Sequence, residues 1–129
     1  MESTTQLSLR IEFGEGERLG PGKVALLERI KEHGSISAAA RTMDMSYRRA
    51  WLLVESMNGL FGKPTVQTRI GREDGGGAVL TPFGERLVHL YRLMERRSTA
   101  ANQSVLAELK RARTRAAPTR GAPRRRAGA

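Results

Sequence analysis

The 129-residue chain contains no cysteine. Disulfide frameworks and thiolate metal sites are therefore excluded. Histidine is nearly as scarce. His33 and His89 are the only two, far apart in the chain, and neither has a partner at ligand spacing. No apolar run is long enough to span a bilayer, and the opening MESTTQLSLRIEF has no apolar stretch of the secretory kind. A cytoplasmic protein with no membrane partner is expected. Gly20-Pro21-Gly22-Lys23 lacks the glycine-lysine-serine/threonine ending of a phosphate loop, and Gly75-Gly76-Gly77 reads as a hairpin turn. No serine stands in a histidine-and-acid arrangement, so catalysis is not expected.

Acidic residues are also in short supply. Lysine and arginine outnumber aspartate and glutamate by 23 to 13, a net charge of +10. Such a balance points to a polyanion partner, most often nucleic acid. The excess is uneven, however. Arg113, Arg115, Arg120, Arg124, Arg125 and Arg126 carry more than half of it, with no acid among them. The body of the chain is only mildly basic, and charge alone does not make the argument.

The organising stretch is Gly34 to Asn58, GSISAAARTMDMSYRRAWLLVESMN. It reads as two helices and a tight turn. Ser35 suits an N-cap, its hydroxyl accepting from amides of the next turn. Ile36, Ala39, Ala40 and Met43 follow at helical spacing, and the alanines let a second helix cross closely. Asp44 and Met45 make the turn, with Met45 as its apolar plug. Ser46 caps the second helix, whose inner face is Ala50, Val54 and Met57. Ser46, Tyr47, Arg48 and Arg49 are left exposed at its front. This is the layout of a helix-turn-helix, in which the second helix enters the DNA major groove N-terminus first, although a plain helical hairpin packed as core shares the pattern.

Around it, Leu7, Leu9, Ile11 and Phe13 alternate with polar residues, which predicts a half-buried strand. GEGERLGPGK follows as a loop. A bracing helix then runs from Pro21, with Val24, Leu26, Leu27 and Ile30 apolar, to a C-cap at Gly34. Gly59 to Pro64 end the recognition helix. TVQTRI, a glycine-rich turn and Ala78-Val79-Leu80 form a β-hairpin, the wing, with Arg69 and Arg72 at its tip. Thr81 and Pro82 open a last helix reaching about Arg111. Its positions Leu87, Tyr91, Met94, Ser98, Ala101, Val105 and Leu109 step by four and three, the spacing of a two-helix seam. We read Leu87, Tyr91, Met94, Ala101, Val105 and Leu109 as dimerisation residues; the alternative is a helix folded back on its own domain. The expected fold is mainly α with a small β component. Residues 1–80 form a winged helix-turn-helix, 81–111 a long dimerisation helix, and 112–129 a disordered arginine-rich tail.

G-S-I-S-A-A-A, M-S-Y-R-R-A-W with M-N downstream, G-G-G-A-V-L-T, and T-P-F-G-E-R-L with L-Y-R occur in this order between Lys23 and Arg97. In these motifs the chain resembles the N-terminal winged helix-turn-helix domain of ModE-type molybdate-dependent transcriptional regulators, itself similar to the DNA-binding domain of LysR-type regulators. The resemblance implies a homodimer that binds double-stranded DNA sequence-specifically. Ser46, Tyr47, Arg48 and Arg49 match the start of the recognition helix, Arg69 and Arg72 fall on the wing, and Trp51 matches a tryptophan read as packing. Ser35 and Arg72 are candidates for backbone contacts. Family members continue into molybdate-binding domains, whereas here an arginine-rich tail follows. No molybdate site or other cofactor is expected in this chain, which would be constitutive or take its signal from a separate effector-binding protein. The other reading is a DNA-architectural or protein-docking winged helix, and an apolar front on the second helix would have favoured docking to protein.

Overall fold

Two glycines with positive φ divide the front half of the chain. Gly34 (φ 77°) and Gly62 (φ 69°) each end a helix in the left-handed conformation, their amides donating back to Ile30 O and Asn58 O. Only glycine adopts this region without a Cβ penalty, so the helices stop there. The computed structural model describes residues 5–69 and 76–113. Its elements in order are β1 (Ile11–Gly14), β2 (Glu17–Leu19), α1 (Pro21–His33), α2 (Ile36–Thr42), α3 (Tyr47–Phe61), β3 (Val66–Arg69), β4 (Gly77–Leu80), α4 (Pro82–Ala101) and α5 (Gln103–Ala112). Among the described residues no helix is long and apolar enough to cross a membrane.

The centre is α1. Its Val24, Leu26, Leu27 and Ile30 are fully buried, and the helix touches α2, α3, α4 and β4. Ile36, Ala39 and Ala40 of α2 and Ala50, Val54 and Met57 of α3 close the core. The expected inner faces of all three helices are the ones observed. The wing pairs antiparallel in the register Val66↔Leu80, Gln67↔Val79, Thr68↔Ala78 and Arg69↔Gly77. Its inner residues Ala78 and Leu80 join the core, and Ala78 N donates to Gly34 O at 2.8 Å. The wing is thereby tied to the start of the helix-turn-helix.

Two expectations need correcting. Residues 7–10 carry no strand, and the stretch read as loop contributes β2, which folds back on β1 with Ile11↔Leu19 and Glu12↔Arg18 paired. Gly14, Glu15 and Gly16 all take positive φ to make that turn. A three-residue strand is too short to show alternation; Leu19, buried in the core, is what holds it down. Within the stretch expected to end it, α3 runs on to Phe61 and stops at Gly62, and the Phe61 ring packs edge-on against Phe13 and Phe83 at 5.6 and 5.4 Å. Packing by Phe61 offsets the modest cost of a glycine in the last turn, at most about 1 kcal/mol. Second, the helix expected over 81–111 breaks at Asn102 (φ −111°, ψ 16°), whose side chain donates to Ser98 O at 2.8 Å. Asparagine competes with the backbone ladder for such partners.

One joint connects α3, the wing and α4. Thr65 is fully buried, and its amide and hydroxyl both donate to Asn58 Oδ1 at 2.8 Å. Thr65 O accepts from Thr81 N at 3.0 Å. Thr81 Oγ1 caps α4 by accepting from Gly84 N at 2.9 Å and donates to Pro64 O at 2.7 Å. Gly84 lies so close that an added Cβ would sit inside the van der Waals envelope of Thr65 O. Gly84→Ala should therefore lower stability by about 1–3 kcal/mol. Gly59→Ala, in open space on α3, should raise it by about 0.5–1 kcal/mol. Urea denaturation midpoints of the two variants must move in opposite directions.

Candidate nucleic-acid interface

Ser46 positions the front of α3. With extended backbone (φ −73°, ψ 160°), its Oγ accepts from Arg49 N at 3.1 Å. That satisfies one free amide of the first turn and leaves others pointing outward, with the partial positive charge of the helix end. Because Ala50, Val54 and Met57 face the core, the rotation of α3 is set. Tyr47, Arg48 and Arg49 are exposed, Tyr47 by 51%. Among the described residues neither guanidinium enters an ion pair. The structure thus brings Ser46, Tyr47, Arg48 and Arg49 onto one helix end. Glu55, exposed further along α3, adds a carboxylate beyond that basic front.

Ser35 and Arg69 sit on other elements. Ser35 caps α2, its Oγ accepting from Ala38 N at 3.0 Å. Arg69 is exposed at the last position of β3, opposite Gly77. Gly76 (φ 94°) follows the wing tip, where a Cβ would stand 2.9 Å from Arg69 O. Arg72 lies outside the described residues.

Other basic residues are spent on holding the scaffold. Arg92 on α4 grips Glu28 on α1 with two bonds, 3.0 and 2.7 Å, and Glu95 with a third at 2.7 Å. These carboxylates hold the guanidinium charged, its pKa raised chiefly by the bonds to Glu28 against the cost of burial. Lys23 Nζ donates to Arg18 O at 2.9 Å and Ser56 Oγ at 3.0 Å, bracing the side of α3. Its pKa is lowered by partial burial first and by the charge of Arg18 second. Lys31 pairs with Glu85 at 2.8 Å. Among the described residues no group of three or more His, Cys, Asp or Glu could hold a metal ion.

The arrangement matches proteins of known kind. Eighty residues are 50% identical to the molybdenum-pterin-binding protein MopB of Rhodobacter capsulatus, covering 62% of this chain and 30% of that protein. Ninety-two residues are 38% identical to the transcriptional regulator ModE of Haemophilus influenzae, covering 71% of this chain and 36% of that protein. Over this stretch the chain is similar to the ModE-type regulators. It spans about a third of the length of the curated relatives it matches. No family model matches. In three dimensions the chain is similar to the protein in a crystal structure of a CbnR_DBD–DNA complex. The TM-score is 0.52 at 18% identity, covering 67% of this chain and 95% of that one, which establishes the shared fold.

Three site expectations change in the structure. Trp51, read as a packing residue, is 40% exposed, one turn beyond Tyr47. Its place is off the Ala50–Val54–Met57 stripe, and helical spacing alone could have flagged it. Leu87 and Tyr91, read as dimerisation residues, are 5% and 1% exposed within their own protomer. Tyr91 Oη donates to Leu9 O at 2.6 Å, clasping the N-terminal segment. A step-of-four pattern marks an apolar face without saying what covers it, and here α1 and the N-terminal segment do. Met94, Ala101, Val105 and Leu109 are exposed, as is Leu90.

If the Ser46 hydroxyl acts as a cap, Ser46→Ala should cost about 1 kcal/mol of unfolding free energy and Ser46→Gly only a few tenths. Chemical denaturation of the two variants without DNA provides the measurement. Equal losses would remove the cap from the account.

Proposed function

We propose that the chain acts as a non-enzymatic, sequence-specific DNA-binding regulator of transcription in the cytoplasm, at the nucleoid, and that it works as a homodimer. The observation that carries this is the Ser46 cap, which leaves Tyr47, Arg48 and Arg49 exposed on the positive end of a helix. Arg48 or Arg49 reads a guanine through O6 and N7, worth about 1–3 kcal/mol of discrimination. Ser46, Ser35 and Arg69, with Arg72, meet the phosphate backbone and fix register without specifying sequence.

The homodimer reading rests on α4 and α5 beyond Tyr91. No residue of α5 is buried, yet Val105 is 54% and Leu109 61% exposed, with Met94 and Ala101 leading into them. A second copy covering this face would set two α3 helices in major grooves one helical turn, roughly 34 Å, or a multiple of it apart. The replacement of both Val105 and Leu109 by glutamate should then give a folded monomer in sedimentation equilibrium. A variant that remained dimeric would place the seam elsewhere.

Selection of duplexes from a random pool, followed by competition against random DNA, tests the main reading. Arg48→Ala or Arg49→Ala should remove preference for the selected duplex while weak general binding persists. Arg69→Ala should instead weaken all sequences alike and flatten the salt dependence. Both α3 variants retaining full preference would refute the base-reading role, and a specificity ratio near one would turn the assignment to DNA architecture. No cofactor is assigned to the chain, so added molybdate should leave its affinity for the selected duplex unchanged.

A further inference from the structure

Tyr47, Arg48 and Trp51 line a shallow notch of about 170 Å³ on the outer side of α3. Its two rings are 51% and 40% exposed. They stand at i and i+4, so they are neighbours on one helix flank. The core does not use them, because Ala50, Val54 and Met57 already fill the inner face of α3. Arg48 beside them supplies a cation that suits a phosphate or a purine edge. We propose that Trp51, together with Tyr47, is a base-reading residue that receives the C5-methyl group of a thymine. The inference rests on the DNA-reading role of α3 and adds a second kind of contact to it.

The chemistry favours that occupant. The thymine methyl is the one apolar group that base edges present in the major groove. An open apolar notch next to an arginine matches a thymine beside a phosphate or a guanine. Indole also offers a single N–H donor, which can meet the acceptors O4 or N7 once the ring is against the base edge. Glu55 bounds the site further along α3, where its carboxylate would repel phosphates.

Trp51 is the only tryptophan in the chain, so its emission reports on this residue alone. The full chain is titrated with the selected duplex while the anisotropy of a label on the DNA records binding. The indole emission should shift to the blue or be quenched in step with the anisotropy. Each thymine of the duplex is then replaced by deoxyuridine, which removes only the methyl. At one or two positions affinity should fall about three- to fivefold for the unmodified chain, the scale of one buried methyl group. That penalty should vanish in Trp51→Ala. Where Trp51→Ala is unstable, Trp51→Gln serves with the same two outcomes. Emission unchanged at saturation overturns the proposal, as does an equal deoxyuridine penalty with and without the indole. A silent indole on a duplex whose preference is lost in Arg48→Ala sinks this inference alone. No anisotropy change with any duplex sinks the DNA-reading role along with it.

Discussion

The pairing of Asn58 with the buried Thr65 is the constraint on which the remaining geometry depends. Asn58 belongs to the last turn of α3, and Thr65 precedes the wing. Two donors of Thr65 converge on one amide oxygen, and the Thr65 carbonyl in turn receives Thr81 N at the start of α4. Leaving any of these buried groups unpaired costs about 1–3 kcal/mol. Among the described residues no buried side-chain nitrogen or oxygen lacks a partner. The joint fixes how α3, the hairpin beside it and α4 are angled to one another. The absent side chain at Gly84 is part of the same constraint, since it is what lets α4 approach.

With that joint in place, α3 divides its surface sharply. One stripe, built from a small, a branched and a flexible residue, packs on α1 and α2. The front and outer side carry two arginines and two aromatic rings that the core does not need. Hydroxyl capping at Ser46 costs none of those side chains, so the helix end is stabilised and remains free to meet a ligand. Cations elsewhere are treated differently. Arg92, Lys23 and Lys31 are drawn into ion pairs or carbonyl contacts and serve as braces. Total charge therefore overstates the basic surface available to a polyanion.

The last helices do two jobs in sequence. Through Leu87, Tyr91 and Arg92, α4 belongs to the domain and clasps both α1 and the N-terminal segment. Ala101, Val105 and Leu109, beyond Met94, stand exposed on their own protomer. The interruption at Asn102 falls after that change, where the ladder is not reinforced by packing. A domain built this way couples its wing to its outer helix through a few shared bonds to the backbone.

The positions of α1, α2, α3 and the wing strands were legible in the sequence. Their caps, glycines and helical or two-fold periods are local, and local chemistry at Ser35, Ser46, Gly34 and Thr81 decides where an element begins or stops. The exposed quartet at the front of α3 was legible for the same reason, because the apolar stripe behind it set the rotation. Tertiary structure alone decided which apolar face met what. Leu87 and Tyr91 read identically to Met94 and Leu109 along the chain, and only the position of α1 separates core from open surface. Trp51 reads as packing through the resemblance, yet Ala50, Val54 and Met57 take the inner face and leave it exposed. The β2 strand and the Gly84 contact were invisible for a related reason: each exists only because a distant residue, Ile11 in one case and Thr65 in the other, lies against it.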